Sequence, residues 1–169
     1  MSIVKELERV KRYEIFIRKT DEHPHYQNEN QIGSPEAFYD FLIRRVLLDE
    51  RPHEKFVVLA LSKDFRIRGY SIVASGSYDN LVLCPSNIFQ FGLSVGASAL
   101  VLAHNHPSGN PQPSMNDIRA TNAFIDAGEI LGIPVVDHLI ISEDAYYSMA
   151  EECNETIFNV EGEPNKNVV

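Results

Sequence analysis

The sequence ALVLAHNHPSGNPQPSMND, residues 99–117, decides how this chain folds and where its chemistry lies. Residues 99–103 are apolar without interruption, which predicts a buried strand that ends on His104. Alternate side chains of an extended backbone share a face, so His104 and His106 point the same way. Three prolines and one glycine follow, and they predict a tight, rigid loop.

The residues after this loop predict a helix that returns a carboxylate to the two histidines. Ser114 is suited to cap the N-terminus of the helix, and Asp117 lies one turn further on the same side. Two nitrogens and one oxygen from three side chains suit a zinc ion whose fourth position is left to water, as in catalytic zinc sites. We therefore predict one zinc ion per chain, held by His104, His106 and Asp117.

Each half of this pattern also has a simpler interpretation. Ser-x-x-Asp ahead of an apolar helix is a common capping box, and His-x-His at a strand end can be two polar loop residues. We expect Asp117 either to ligate a metal or to reach back and cap the helix, so the two interpretations compete for one carboxylate. The combined spacing favours the metal.

His-x-His, seven residues, Ser, two residues and Asp, as found between His104 and Asp117, resembles the JAMM signature of the JAB/MPN metalloprotease superfamily. The stretch HNHPSGNPQPS, residues 104–114, is similar to the RadC-like branch of that superfamily in particular. The resemblance extends from about Ser34 to about Ala150. It implies an MPN/JAB-type (cytidine-deaminase-like) α/β fold and zinc-dependent cleavage of amide bonds.

The resemblance also implies two catalytic residues. Glu54 precedes the apolar run 56–61, where the family pattern has its catalytic glutamate, and it takes the role of general base; a solvated acid at a strand end is the alternative. Ser114 either caps the helix or donates to the oxyanion formed on the attacked carbonyl. We interpret Asn105 as structural, and His138 as a hydrogen-bonded core histidine rather than a partner of a metal ligand.

Periodicity and helix boundary signals predict the other elements, which together give an α/β fold with one mostly antiparallel sheet packed against helices. The predicted helices are 34–48, 85–96 and 114–131, the last closed by Gly132. The predicted strands lie within 5–20 and at 56–61, 67–75, 81–83, 99–103, 134–141 and 146–150. Because runs 56–61 and 99–103 are both apolar throughout, we expect them to be neighbouring or near-neighbouring central strands.

The length of 169 residues and the hydrophobic share of 44% fit a single core. We predict an N-terminal extension over 1–33 with one strand and a polar loop, an MPN/JAB domain over 34–150, and an acidic tail over 151–169. The pair His23 and His25 repeats the ligand spacing without a returning carboxylate, and we expect it to lie in a solvated loop.

The net charge of −9 gives no support to a nucleic-acid partner, because such proteins normally present a basic face to phosphates. No apolar stretch approaches the ~20 residues of a membrane-spanning helix, and no secretory signal is apparent. Cys84 and Cys153 have neither metal-binding nor redox spacing and are expected to be reduced thiols. We therefore expect a cytoplasmic protein.

Three function classes can be compared. A zinc-dependent hydrolase, a metallopeptidase or isopeptidase acting on a peptide of unknown identity, is favoured because the five motif residues occur together. A zinc deaminase would need His-x-Glu and Pro-Cys-x-x-Cys, and the sequence contains neither. The third class, which the RadC-like resemblance brings with it, is an accessory module linked to DNA repair with little or no peptidase activity.

Overall fold

The computed structural model describes residues 33–76 and 83–152, which form a five-stranded mixed sheet with helices packed on both faces. Its strands are β1 (Lys55–Leu61), β2 (Ile67–Ser75), β3 (Ala99–Asn105), β4 (Val135–Ile141) and β5 (Tyr146–Ser148). They are arranged in the order β2-β1-β3-β4-β5. Three of the four strand pairs are antiparallel, and β3 and β4 are parallel. The predicted α/β fold with a mostly antiparallel sheet is thus confirmed.

The helices are α1 (Pro35–Phe41), α2 (Pro85–Ser94), α3 (Met115–Leu131) and α4 (Met149–Glu152), and one π-helical turn, Leu42–Val46, continues α1. Ser34 caps α1 as predicted, and Gly132 closes α3 with a φ of 67°. The helix predicted over 34–48 ends at Val46 instead. Leu47 takes a φ of 53° there, and the reversal lets Leu48 return to the core.

The strand predicted over 146–150 ends early, at Ser148. Two groups of this segment donate to the buried carboxylate of Asp137: the Ser148 hydroxyl at 2.9 Å and the Ala150 N–H at 3.1 Å. These bonds turn the chain into α4. The strand predicted to end on His104 runs one residue further, since β3 ends at Asn105.

Several predictions fall outside the described residues. They are the strand within 5–20, the loop that carries His23 and His25, nearly all of the strand 81–83, Cys153, and the tail beyond Glu152. Within the described residues, none of the helices is long and apolar enough to cross a membrane.

The two apolar runs that the sequence places at the centre of the sheet are neighbouring strands. β1 and β3 pair antiparallel, with Phe56 opposite His104, and residues 56–61 and 99–103 are buried throughout. Leu100, Leu102 and His104 point to the side covered by α2 and α3, here called the α3 face. The opposite side, packed against α1, is the α1 face. Because Phe56 pairs with His104, the start of β1 and the end of β3 lie side by side at the same end of the sheet.

Candidate metal centre

The two histidines of the motif turn their Nε2 atoms toward each other at the end of β3. His104 is inside the strand and only 1% exposed, whereas His106 has left the strand and is partly exposed. The two Nε2 atoms lie 3.0 Å apart. The His106 Nδ1 lies 2.8 Å from the backbone oxygen of Asn110, so it donates to the loop that the prolines and Gly109 shape. The loop thereby holds the second imidazole against the first.

Asp117 reaches both histidines from the first turn of α3. Its Oδ1 lies 3.3 Å from His104 Nε2, and its Oδ2 lies 3.7 Å from His106 Nε2. Oδ2 also accepts hydrogen bonds from the Ser114 N–H at 2.7 Å and the Ser114 hydroxyl at 2.6 Å, and the Ser114 hydroxyl accepts from the Asp117 N–H. We expected the carboxylate either to cap the helix or to reach the histidines, and the structure shows it doing both. A carboxylate has two oxygens, and here one caps the helix while the other faces His104.

Glu54 approaches the same point from the residue before β1. Its Oε1 lies 3.9 Å from His104 Nε2. Its backbone oxygen accepts from the N–H of Gly76, which ties it to the end of β2. The structure therefore brings the carboxylate to the site from a different strand than the histidines.

Asn105, between the two histidines, points to the α1 face and has the structural role predicted for it. Its side-chain oxygen accepts from the Lys55 N–H at 2.8 Å. Its amide nitrogen donates to the backbone oxygens of Arg51 at 3.0 Å and His53 at 3.3 Å. It thereby fixes the segment that carries Glu54 against the end of β3.

The donor atoms are suitably placed for a metal ion. Those of Glu54, His104 and His106 all lie within 4.8 Å of one another, and Asp117 adds a second carboxylate. Two donors bound tetrahedrally to one zinc ion at about 2.0–2.1 Å lie roughly 3.3 Å apart. The separations of 3.0 and 3.3 Å around His104 Nε2 match that value. Imidazole nitrogen and carboxylate oxygen suit a divalent transition-metal ion such as zinc.

Burial and charge shift the pKa values of these groups in different directions. Burial lowers the pKa of His104 to about 4, although the charge of Asp117 opposes it. Burial would raise the pKa of Asp117, but the nearby His106 and His104 and the hydrogen bonds from Ser114 outweigh it and hold that pKa below its usual value. The neighbouring Asp117 carboxylate raises the pKa of His106. Burial raises the pKa of Glu54, with His106 opposing. At neutral pH His104 is thus neutral and Asp117 ionised, as metal ligands must be.

His138 is a buried, hydrogen-bonded histidine, as predicted, and its partner is His104, one of the three predicted metal ligands. Its Nε2 lies 2.8 Å from His104 Nδ1, and its Nδ1 lies 2.6 Å from Thr121 Oγ1. No role was predicted for Thr121 from the sequence. The one signal was its position four residues after Asp117, which places both on one side of α3.

A family model described as the RadC-like JAB domain matches residues 32–154. A UPF0758 protein of Carboxydothermus hydrogenoformans is 38% identical over 126 residues, which cover 75% of this chain and 55% of the relative. The UPF0758 protein of Paraburkholderia xenovorans is 40% identical over 119 residues, 70% of this chain and 46% of the relative. That of Methanosarcina barkeri is 33% identical over 124 residues, 73% of this chain and 53% of the relative.

The chain therefore belongs to the RadC-like JAB domain family, as the HNHPSGNPQPS stretch indicated. It spans about half the length of the curated relatives it matches. The individual roles of Glu54, Ser114 and the three ligand residues stay predictions, as does the division of the chain at residues 33 and 150.

Proposed function

We propose that the chain is a zinc-dependent hydrolase of amide bonds, a metallopeptidase or isopeptidase of the JAMM type. The observation that carries this proposal is the convergence on His104 Nε2. Within 3.9 Å of this atom lie the Nε2 of His106, the Oδ1 of Asp117 and the Oε1 of Glu54. These groups come from three separate parts of the chain, and packing alone gives no reason to gather them.

His104, His106 and Asp117 would hold the zinc ion. The Asp117 carboxylate approaches both imidazoles and lies nearer to His104 Nε2 than the Glu54 carboxylate does, at 3.3 against 3.9 Å. Glu54 is thereby left beside the site with its carboxylate available. When bound, zinc polarises a carbonyl oxygen and makes water acidic enough to react near neutral pH.

Glu54 would act as general base and then as general acid. Its carboxylate takes a proton from the attacking water and returns it to the leaving amine, a role that requires reach but no bond to the metal. Its side chain is 16% exposed, which leaves access for a water molecule and a substrate. Asn105 holds the backbone of His53 and Lys55 on either side of Glu54, and the Gly76 N–H holds the backbone oxygen of Glu54 itself. These bonds keep the carboxylate in place.

The substrate would be a peptide or an isopeptide-linked amine. The amide bond must come to the exposed rim between Glu54 and the loop of residues 107–113. Ser114 lies at this rim and is exposed, and its hydroxyl donates to Asp117 Oδ2. The hydroxyl would turn from that carboxylate to donate to the oxyanion of the attacked carbonyl.

The test compares the parent with Glu54→Gln and His104→Ala. Zinc content is measured by mass spectrometry, and hydrolysis on a library of quenched fluorescent peptides that includes lysine isopeptides. Glu54→Gln keeps the shape of the side chain and removes its basic oxygen. We expect it to bind zinc like the parent and to lose about 10²–10⁴-fold in hydrolysis. His104→Ala should lose both zinc and hydrolysis.

Three results would contradict the proposal in different ways. Full activity of Glu54→Gln would show that another residue carries the proton. Loss of zinc from Glu54→Gln would make Glu54 a ligand. A zinc-loaded parent that cleaves nothing in the library would favour an accessory module without peptidase activity.

A further inference from the structure

We propose that His138 and Thr121 are positioning residues that keep the proton of His104 on Nδ1, so that Nε2 presents a lone pair to the metal. The inference rests on the ligand role of His104 in the proposed function. His104, His138 and Thr121 form a continuous series of contacts, here called the buried hydrogen-bond chain. Its links are His104 Nδ1 to His138 Nε2 at 2.8 Å, and His138 Nδ1 to Thr121 Oγ1 at 2.6 Å.

The direction of this chain is set at its far end, on α3. Thr121 Oγ1 lies 2.7 Å from the backbone oxygen of Asp117, which can only accept a hydrogen bond. The Thr121 hydroxyl has one hydrogen and donates it there, a bond that threonine commonly makes to the carbonyl one turn back. Its oxygen is then left to accept from the Nδ1–H of His138.

The two imidazole rings transmit this direction to His104. A neutral imidazole carries one N–H, so His138, which donates through Nδ1, accepts through Nε2. His104 must therefore donate through Nδ1, and its Nε2 carries no proton. In the opposite direction, with Thr121 donating to His138, the proton of His104 would lie on Nε2, where it would face His106 Nε2 at 3.0 Å and Asp117 Oδ1 at 3.3 Å. That arrangement blocks ligation, so Thr121 decides the state of a nitrogen that it does not touch.

Burial strengthens the preference for one direction of the buried hydrogen-bond chain. His104, His138 and Thr121 are each at most 1% exposed, so water cannot replace a missing partner. The ring of Phe56 packs against both histidines, with centroids 5.9 Å from His104 and 5.3 Å from His138. A break in the chain would leave an N–H in apolar surroundings, which is costly.

His106 shows the simpler way to reach the same end. Its Nδ1 faces the backbone oxygen of Asn110, an acceptor only, and its tautomer is fixed in one step. His104 Nδ1 faces a ring nitrogen, which can donate or accept. His106, whose tautomer is set by a backbone oxygen, therefore serves as an internal control for His104 in the same protein.

The experiment compares Thr121→Val with Thr121→Ser. Valine has nearly the shape of threonine but lacks the hydroxyl, whereas serine keeps it. In Thr121→Val we expect His138 to carry its proton on Nε2 and His104 to carry its proton on Nε2 in turn. Zinc affinity should fall about 10–100-fold, the usual effect of losing a group that orients a metal ligand. Thr121→Ser should keep the tautomers and the zinc affinity of the parent.

The tautomers are read from the ¹⁵N chemical shifts of the ring nitrogens in the metal-free protein, and zinc affinity from competition with a chromogenic chelator. A purely structural role of Thr121 would weaken zinc binding without moving the proton of His104. That result, or an unchanged affinity in Thr121→Val, would overturn the inference.

A second pair of variants serves if Thr121→Val does not fold. His138→Gln offers an amide oxygen to His104 and an amide N–H to Thr121, and it should retain the Nδ1–H form of His104. His138→Leu should not. If the parent itself binds no zinc, the proposed function fails. The ¹⁵N shifts of the metal-free protein still test the direction of the buried hydrogen-bond chain on its own.

Discussion

The two faces of the sheet use their buried polar side chains differently. On the α1 face, Asn105 and Asp137 bond mainly to backbone groups: Asn105 to residues 51, 53 and 55, and Asp137 to the N–H groups of His138 and Ala150. On the α3 face, His104, His138 and Thr121 bond to one another. The first arrangement fixes the path of the chain, and the second aims one nitrogen at the candidate site.

This difference follows from what each face has to do. A buried polar group needs a partner on either face, because an unpartnered one costs more than its hydrogen bond contributes. Partners on the backbone make a position rigid and chemically inert. Partners on side chains leave a free lone pair at the end of the series. We therefore expect substitutions on the α1 face to change stability and those on the α3 face to change chemistry.

Leu59→Ala is the strongest test of this separation on the stability side. Leu59 is fully buried on the α1 face in β1, and its truncation leaves a cavity. We expect the free energy of unfolding to fall by about 2–5 kcal/mol, as measured by urea denaturation. Zinc affinity per folded molecule, measured by chelator competition, should not change. A matching loss of zinc affinity would show that the two faces are coupled and that the comparison does not hold.

Asp137→Asn tests the α1 face through pH. Burial raises the pKa of Asp137 to about 6, against hydrogen bonds from Ala150, Ser148 and His138 that lower it. The folded state therefore binds a proton more tightly than the unfolded state. The resulting stabilisation is complete below the unfolded pKa of about 4 and is lost as pH rises through about 6. Two pKa units correspond to about 3 kcal/mol at most.

The measurement is the difference in urea unfolding free energy between the parent and Asp137→Asn at about pH 3.5 and about pH 7.5, which bracket the transition. A chelator keeps both proteins metal-free. Asparagine does not titrate, so the parent should lose stability relative to the variant as pH rises. A difference that is constant with pH would show that Asp137 has an ordinary pKa.

The sequence predicted the elements whose signals are local. The apolar run 99–103, the cap at Ser114 and the stop at Gly132 each act within a few residues, and each is found where expected. The approach of Asp117 to the histidines could also be predicted, because a short loop with three prolines leaves the chain few paths. The RadC-like motif of residues 104–114 then indicated the family, which the match to the family model confirms.

What the sequence could not predict depends on distant pairing. His138 reaches His104 because β4 pairs in parallel with β3, which brings together residues 34 positions apart. The end of β5 depends on Asp137, eleven residues before Ser148. That Asp117 both caps α3 and faces His104 was missed for another reason. A residue pattern treats a carboxylate as one group, whereas the structure uses its two oxygens separately.

Ser114→Ala carries the smallest expected change in stability. It tests whether Ser114, at the exposed rim beside the α3 face, takes part in hydrolysis or only caps α3. The Ser114 hydroxyl accepts from the Asp117 N–H at 3.2 Å and donates to Asp117 Oδ2 at 2.6 Å, at a solvent-exposed helix start. Removing such a cap costs about 1 kcal/mol. The Ser114 N–H still donates to Oδ2 in the variant, so Asp117 stays oriented and zinc affinity should hold.

Hydrolysis should respond more strongly than stability. If the hydroxyl turns from Asp117 to the oxyanion, its loss should lower kcat by about 10²–10³-fold with zinc still bound. Ser114→Thr keeps the hydroxyl and the cap and is the matched control, expected to retain most of the activity. A kcat per folded molecule that stays at the parent value in Ser114→Ala would restrict Ser114 to capping α3. Hydrolysis would then depend on the predicted zinc ligands and Glu54 alone, and the exposed rim would have only a structural role.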